Sequence, residues 1–156
     1  MLYLFLKYLH VIGAAVLLGT GAGIAFFMLR AHLTGEAAIV AAVARIVVLA
    51  DLLFTATAVI AQPLTGIALV REAGYSLRES WIVLSIILYL VTGAFWLPVV
   101  WIQIQLRDLA AASAAEGKQL SARYHRLFRI WFAFGFPAFG AVMIIFWLMI
   151  SRPSIW

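Results

Sequence analysis

The sequence predicts an all-α, polytopic membrane protein whose four transmembrane helices run up and down in one bundle. Hydrophobic residues make up 67% of the 156 residues and charged residues 11%, whereas a soluble domain is typically about half apolar and a quarter charged. The apolar residues lie in four long stretches, each close to the ~20 residues that a helix needs to cross a bilayer. No stretch shows the period of two that barrel strands show, so helices are predicted throughout.

The first two predicted spans contain a few polar residues within long apolar runs. The first covers residues 3–29 and has His10 about two turns inside it. Its apolar run exceeds the ~7–15 residues of a signal-peptide core. The second covers residues 43–70 and includes Arg45 and Asp51 near its start. We therefore expect two membrane helices and no cleaved leader.

The last two predicted spans cover residues 81–106 and 125–151. An alanine-rich tract after the third span is expected to extend its helix as far as Gly117, because alanine is the best helix former. The links between the spans are short, and short links join antiparallel neighbours. The sequence therefore predicts a single transmembrane domain over residues 1–156.

The composition excludes several classes of site. Cysteine is absent, so disulfides, thiolate metal sites, iron–sulfur clusters and c-type heme attachment are excluded. The formal net charge is +5, and no basic stripe with interleaved aromatic residues suggests binding to nucleic acid. The lipid bilayer is the partner that this composition requires, since only lipid can surround so much apolar surface.

The basic residues are unevenly shared between the two sides of the predicted bundle. One side carries Arg30, Arg45, Arg107, Lys118, Arg123, Arg126 and Arg129. The other side carries only Lys7, Arg71, Arg78 and Arg152. Because cytoplasmic loops are richer in lysine and arginine, the sequence predicts a multi-pass protein of the bacterial inner membrane with both termini in the periplasm.

Polar residues within the second and third spans recur at helical spacing. Those of the second span are Asp51, Thr55, Gln62 and Thr65. Those of the third span are Ser85, Tyr89, Thr92, Trp96 and Gln103. Each set falls on one helical face, and polar groups that faced lipid would remain without hydrogen bonds. Both stripes are therefore predicted to face the interior of the bundle.

His10 is the strongest candidate for a functional residue. A histidine inside a membrane span is a functional hypothesis by default, and histidine is a common axial ligand of heme iron. We predict that His10 binds the iron of heme b in a pocket lined by Gln62, Tyr89 and Trp96. The alternatives are a purely structural hydrogen bond from His10 to Gln62 or Tyr89, proton transfer, and binding of another metal.

The second axial ligand is open. Met143 lies at the same predicted depth as His10 and would complete a His/Met pair, although methionine is also an ordinary core residue. His32 and His125 lie at the opposite membrane face, so neither can share an iron with His10. These two histidines are expected either to be solvated or to hold a second heme or a surface metal.

Asp51 needs a partner inside the membrane. Arg45, Arg129 and Gln103 lie at a suitable depth, and the predicted charge network joins Asp51 to the two arginines. The network is interpreted as an ion pair that locks the second and fourth helices, as a proton relay, or as charge balance on the propionate side of a heme. Arginine also pairs well with carboxylates, and the candidates for heme propionates are Arg30, Arg126 and Arg129.

Several short segments resemble a known family over essentially the whole chain. They are Lys7-Tyr-Leu-His10, Gln62-Pro-Leu-Thr-Gly66, Trp96-Leu-Pro-Val-Val-Trp101, and Gly135-Phe-Pro-Ala138 following Trp131. This pattern resembles a bacterial family of predicted integral membrane proteins, the domain of unknown function 2269. The resemblance implies an integral membrane protein and assigns no reaction.

The opening Lys-x-x-His and the glycine-rich stretch after it are distantly similar to two other four-helix groups. These are the heme-containing membrane protoporphyrinogen oxidase and the membrane domain of copper-resistance D proteins. A histidine at the start of the first helix is associated with heme b in the oxidase, so this similarity implies a heme at His10, with Lys7 beside it. The sequence has Leu17 and Leu18 where a tryptophan is usual, and the first-helix arginine appears only at Arg30. The similarity therefore implies heme binding more than protoporphyrinogen oxidation.

These patterns favour a heme b-binding inner-membrane protein with an electron-transfer or oxidoreductase role, whose partner is a quinone or a membrane redox protein. The first alternative is a non-enzymatic accessory or assembly subunit, in which the polar stripes hold the helices together. The second is a proton-coupled transporter of a metal or small solute that uses His10 and Asp51, and it would require a homo-oligomer. The sequence leaves open whether the protein is an enzyme.

Overall fold

The computed structural model describes residues 1–156, and helices account for nearly all of them. Its four long helices are α1 (Leu2–Thr34), α2 (Ala37–Glu72), α3 (Ser80–Ala115) and α4 (Ala122–Ser151). Each is long and apolar enough to cross a membrane, and no strand is present. The predicted all-α architecture with four membrane helices is confirmed.

The helices extend beyond the apolar spans predicted from the sequence. α2 begins at Ala37 rather than at residue 43. α3 continues past residue 106 to Ala115, close to the end at Gly117 that the alanine-rich tract predicts. A helix of 36 residues is roughly 54 Å long at ~1.5 Å per residue, which exceeds the ~30 Å hydrocarbon core. The ends of these helices therefore project beyond the apolar layer of the bilayer.

The two ends of the bundle differ. Both chain termini and the loop 73–79 lie at one end, the terminal end. The loops 35–36 and 116–121 lie at the other end, the closed end. Gly35 (φ 71°) and Gly117 (φ 62°) reverse the chain at the closed end in the left-handed conformation, which glycine adopts without strain.

The closed end holds the main hydrophobic core. Met28 of α1, Val40 of α2 and Leu106 of α3 pack there with Tyr124 and Phe128 of α4. The first half of α2 lies against α3, so all four helices contribute to this core. The packing holds the helices together at one end of the bundle only.

Toward the terminal end the bundle separates into two helix pairs. α1 packs against the second half of α2, and α3 packs against α4, whereas α1 barely contacts α4. A small core of Trp81, Ile82 and Leu148 joins α3 to α4 at this end. The C-terminus is tied to the start of α3, because the Ser80 hydroxyl donates to the Pro153 carbonyl at 2.9 Å. An internal space remains between the two pairs.

A short π-helical segment, Asp51–Thr55, interrupts α2. At its end the Ala56 N–H donates to the Asp51 carbonyl, five residues back, instead of to the residue four back. The side chains at both ends of the segment, Asp51 and Thr55, are buried and face the internal space. Such single-turn π segments occur frequently at functional sites.

Candidate functional site

A cavity of about 890 Å³ lies between the two helix pairs and opens to the surface. Side chains from all four helices form its wall, and most of them are apolar. It begins at Tyr3, Tyr75 and Arg152 at the terminal end and reaches Asp51 and Gln103 toward the closed end. Ligand pockets commonly enclose ~300–1,000 Å³, so this space is large enough for a cofactor or a lipid-like molecule.

His10 lines this cavity from α1, and a residue of α2 holds its ring. The Nδ1 atom of His10 lies 2.9 Å from the hydroxyl oxygen of Thr65. The Thr65 hydroxyl donates to the Ala61 carbonyl at 2.8 Å, so its oxygen is left to accept a hydrogen bond from His10. This network favours the neutral tautomer of His10 that carries its proton on Nδ1, in which the lone pair of Nε2 is free to bind a metal.

Two glycines let α1 and α2 approach closely around His10. The Gln62 side-chain amide donates to the His10 carbonyl at 2.8 Å, and it occupies the space where a side chain on Gly13 would lie. A Cβ atom on Gly66 would lie only 3.2 Å from His10 Cε1. Gly21, by contrast, has no neighbouring atom within 4 Å of an added Cβ and borders the open cavity.

Tyr89 of α3 reaches across to α2. Its hydroxyl donates a hydrogen bond to the Val59 carbonyl. Pro63 lies four residues after Val59 and has no N–H, so it leaves this carbonyl without its helical partner. Tyr89 therefore satisfies the backbone group that the proline frees, and it links the two helix pairs outside the closed-end core.

Asp51, Thr55 and Trp96 lie in the deep part of the cavity. Asp51 is only 5% exposed, and its Oδ1 accepts a long hydrogen bond of 3.4 Å from the Trp96 indole N–H. Thr55 is equally buried, and its hydroxyl has no hydrogen-bonding partner. A smaller cavity of about 130 Å³ is also lined by Asp51, Trp96 and Gln103, so these residues border both spaces.

The structure does not bring Asp51 together with Arg45 or Arg129, as the predicted charge network requires. Both arginines are exposed, on faces of α2 and α4 that are turned away from the core. Arg45 and Asp51 lie on different faces of α2, because their spacing in the sequence does not match the helical repeat. The ion pairs that the structure contains are Arg107–Asp108 and Lys118–Glu116.

Met143 does not reach the cavity, so the structure does not bring it to His10 as the predicted ligand pair requires. Its side chain is 47% exposed. The cavity wall is lined from α4 by Ala138, Val142, Ile145 and Met149, among others. These residues follow the helical repeat, and Met143 lies beside their face rather than on it.

The predicted pocket residues Gln62, Tyr89 and Trp96 do line the cavity with His10. The cations at the terminal end of the cavity are Lys7, which the distant similarity implied beside His10, and Arg152, which sequence reasoning did not assign to the site. Lys7 lies three residues before His10, and this spacing in the sequence indicates that the two side chains share one face of α1. The arginines predicted for heme propionates do not line the cavity: they are Arg30, Arg126 and Arg129.

His32 and His125 meet at the closed end, away from the cavity. Their ring centroids are 5.5 Å apart. The His32 ring stacks on Phe128 at 3.7 Å between centroids, and its Nδ1 lies 3.4 Å from the Tyr124 hydroxyl. No group of three or more histidine, cysteine or acidic residues that could hold a metal ion is present. The stack on Phe128 and the contact with Tyr124 hold the His32 ring, and a second heme or surface metal at this histidine pair stays a prediction.

Four apolar helices around a cavity that opens to the surface define a polytopic integral membrane protein. The chain belongs to the DUF2269 family of predicted integral membrane proteins, whose profile matches residues 4–153. No curated protein and no solved structure matches the chain significantly. The family membership expected from the sequence is confirmed, and the distant similarity to heme-containing and copper-resistance proteins stays a prediction.

Proposed function

We propose that the protein binds heme b in the cavity, with His10 Nε2 as an axial ligand of the iron. The observation that carries this proposal is the hydrogen bond between His10 Nδ1 and Thr65. Histidines that ligate metals usually donate their other ring N–H to a fixed acceptor, which sets the tautomer and the orientation of the ring. Thr65 can fill that role because its own proton is used within α2.

Other features of the cavity suit the remainder of a heme group. Its volume of about 890 Å³ and its mostly apolar wall suit a large, flat and largely apolar ring. Gly21 and Gly93 lie on the wall and have no neighbouring atom within 4 Å of an added Cβ. Lys7 and Arg152 at the terminal end would pair with the propionates.

A bound heme would supply one-electron chemistry, and the chain would hold the group, orient it and exclude water. The electron partner would be a quinone dissolved in the bilayer or a membrane redox protein. Access from the bilayer would run between α1 and α4, which barely contact each other. The excess of basic residues at the closed end supports a cytoplasmic closed end and periplasmic termini in a bacterial inner membrane.

The test is an absorption spectrum of the detergent-purified protein, oxidised and dithionite-reduced, after expression with ample heme. We expect a Soret band and sharp reduced α and β bands in the wild type and in the control His125→Ala, which changes a ring at the closed end. We expect these bands to be absent in His10→Ala. A colourless wild type, or full absorption in His10→Ala, would overturn the proposal.

The alternatives predicted from the sequence make different predictions. An accessory or assembly subunit would be colourless and would co-purify from native membranes with a stoichiometric partner. A transporter in liposomes would couple solute uptake to proton movement, and Asp51→Asn would abolish the coupling. Both alternatives also accommodate the His10–Thr65 hydrogen bond, but neither requires the large apolar space beside the ring, so heme binding is the preferred proposal.

A further inference from the structure

We propose that the deep part of the cavity, formed by Asp51, Thr55 and Trp96, binds the ring head of a membrane-soluble quinone or quinol. They lie deeper in the same cavity than His10, and Trp96 is also one of the predicted heme-pocket residues. The proposal deepens the proposed function by assigning a site to its electron partner, and it rests on that function for a redox role. The binding itself requires no heme, so the two proposals can be tested separately.

The first supporting observation is a buried hydroxyl without a partner. Thr55 is only 6% exposed, and its Oγ1 is the one buried side-chain nitrogen or oxygen atom that lacks a hydrogen bond. Threonine in a helix can bond back to a carbonyl of its own helix, as Thr57 does to Leu53 at 2.6 Å. In the π-helical segment no carbonyl of the helix accepts a hydrogen bond from the Thr55 hydroxyl. Thr55 therefore keeps a free donor at the cavity wall.

The second supporting observation is a buried carboxyl group without a cation. Asp51 forms no ion pair, since the two in the structure are Arg107–Asp108 and Lys118–Glu116. The Thr55 hydroxyl lies beside this carboxyl group without forming a hydrogen bond of normal geometry, and the side-chain hydrogen bond to Asp51 is the 3.4 Å contact from Trp96. A carboxyl group inside a membrane bundle requires either a proton or a partner. Asp51 is therefore open to a ligand that donates a hydrogen bond.

The chemistry of a quinone head matches these two groups. A quinone carbonyl accepts a hydrogen bond from a hydroxyl such as that of Thr55. A quinol hydroxyl donates a hydrogen bond to a carboxylate such as that of Asp51. The Trp96 indole, on the same part of the wall, offers an aromatic surface to a flat ring. The oxidised form of such a ligand would therefore pair with Thr55, and the reduced form would pair with Asp51.

Depth and access favour this class over other lipids. Thr55 lies near the middle of α2 (Ala37–Glu72), so the site is far from either membrane surface. A charged phospholipid head group would be costly at that depth, and a fatty acid would bring a second carboxylate to Asp51. A neutral, flat head with an apolar tail can enter from the bilayer, because the helix pairs separate beside α1 and α4.

The test measures binding of decylubiquinone to the full chain in nanodiscs of neutral and anionic phospholipids, through saturable quenching of tryptophan fluorescence. The variants are Thr55→Val and Asp51→Asn. The control is Thr57→Val, which removes a hydroxyl from the exposed face of the same helix. We expect the Kd to rise about tenfold in Thr55→Val, as for the loss of one hydrogen bond. We expect weaker binding of the quinol form to Asp51→Asn. We expect no change in the Kd of Thr57→Val.

Valine has the shape of threonine, and removal of an unpartnered buried hydroxyl should not lower the melting temperature. A weaker Kd at unchanged melting temperature would therefore support the site. An unchanged Kd in Thr55→Val, or no saturable binding in the wild type, would overturn it. Saturable quinone binding in His10→Ala would support the quinone site even if heme were absent. A heme spectrum in the wild type without saturable quinone binding would overturn the quinone site alone.

Discussion

The imidazole of His10 and the hydroxyl of Thr65 lie 2.9 Å apart across the contact between α1 and α2. The Thr65 proton is directed to the Ala61 carbonyl, so His10 donates its Nδ1–H and keeps Nε2 free at the cavity. A threonine on a neighbouring helix thus determines which nitrogen of the histidine is available. The chemistry that His10 can perform therefore depends on how α1 and α2 pack.

Thr65→Val tests this relationship. The variant removes the acceptor of the His10 Nδ1–H while keeping the shape of the side chain. Loss of such an acceptor typically weakens metal binding by about 10–100-fold, so we expect heme to dissociate more readily from Thr65→Val than from wild type. Heme transfer to apomyoglobin measures the rate, with Thr57→Val as the control for a lost threonine hydroxyl. Equal rates in all three proteins would contradict this role of Thr65.

Gly66→Ala tests how closely α2 supports the His10 ring. The new Cβ would lie 3.2 Å from His10 Cε1, so the ring must shift by a few tenths of an ångström. We expect an altered Soret maximum or electron paramagnetic resonance signal in Gly66→Ala, because the orientation of an axial ligand affects the iron. Gly19→Ala is the matched control, since no atom lies within 4 Å of its added Cβ. A wild-type spectrum from Gly66→Ala would count against ligation by His10.

Tyr89→Phe is expected to destabilise the protein, because it leaves the Val59 carbonyl without its donor. Hydrogen bonds between membrane helices average about 0.6 kcal/mol and reach about 1.7 kcal/mol, and a loss in this range is expected in reversible unfolding from detergent micelles. The loss should be smaller in a Pro63→Ala background, because alanine restores the N–H that bonds Val59 within the helix. Equal losses in both backgrounds would show that Tyr89 and Pro63 are not coupled.

Leu106→Ala tests the importance of the closed-end core. Leu106 is fully buried there, and truncation of a buried leucine typically costs about 2–5 kcal/mol. Leu97→Ala changes an exposed leucine on the same helix, and we expect a loss below about 1 kcal/mol because lipid replaces the missing contacts. Unfolding in mixed micelles compares the two variants. Similar losses would show that the closed end does not dominate stability.

Single-cysteine labelling tests the orientation of the chain. The protein contains no cysteine, so Ser154→Cys at the terminal end and Lys118→Cys at the closed end each introduce one thiol. We expect a membrane-impermeant maleimide to label Ser154→Cys in intact cells and Lys118→Cys only after permeabilisation, as the distribution of basic residues predicts. The reverse pattern would place the closed end in the periplasm.

The number and type of the elements could be predicted because a membrane span is specified locally. A run of about 20 apolar residues must form a helix in lipid, whatever the rest of the chain does. The polar stripes were similarly informative, since a polar group that faced lipid would remain unsatisfied. Gln62, Tyr89 and Trp96 accordingly line the cavity with His10.

Partners across helices could not be predicted in the same way. The rise per residue predicts the depth of a side chain, but the rotation of each helix about its axis depends on packing. Met143 and Arg129 were therefore predicted at suitable depths, yet they lie away from His10 and Asp51. Arg152 was missed because the chain beyond α4 folds back to Tyr75, to whose hydroxyl Arg152 donates at 2.6 Å.

The sequence by itself determined that this protein has four membrane helices and that the polar stripes of two of them face inward. It also determined that His10 lies within an apolar span. Only the tertiary structure decided that His10 bonds to Thr65, and that a cavity separates the two helix pairs. The reason is that hydrophobicity and helical period are properties of neighbouring residues, whereas the His10–Thr65 contact joins positions 55 residues apart. Such a contact forms only when two helices pack in one particular rotation, with glycines at the points of closest approach.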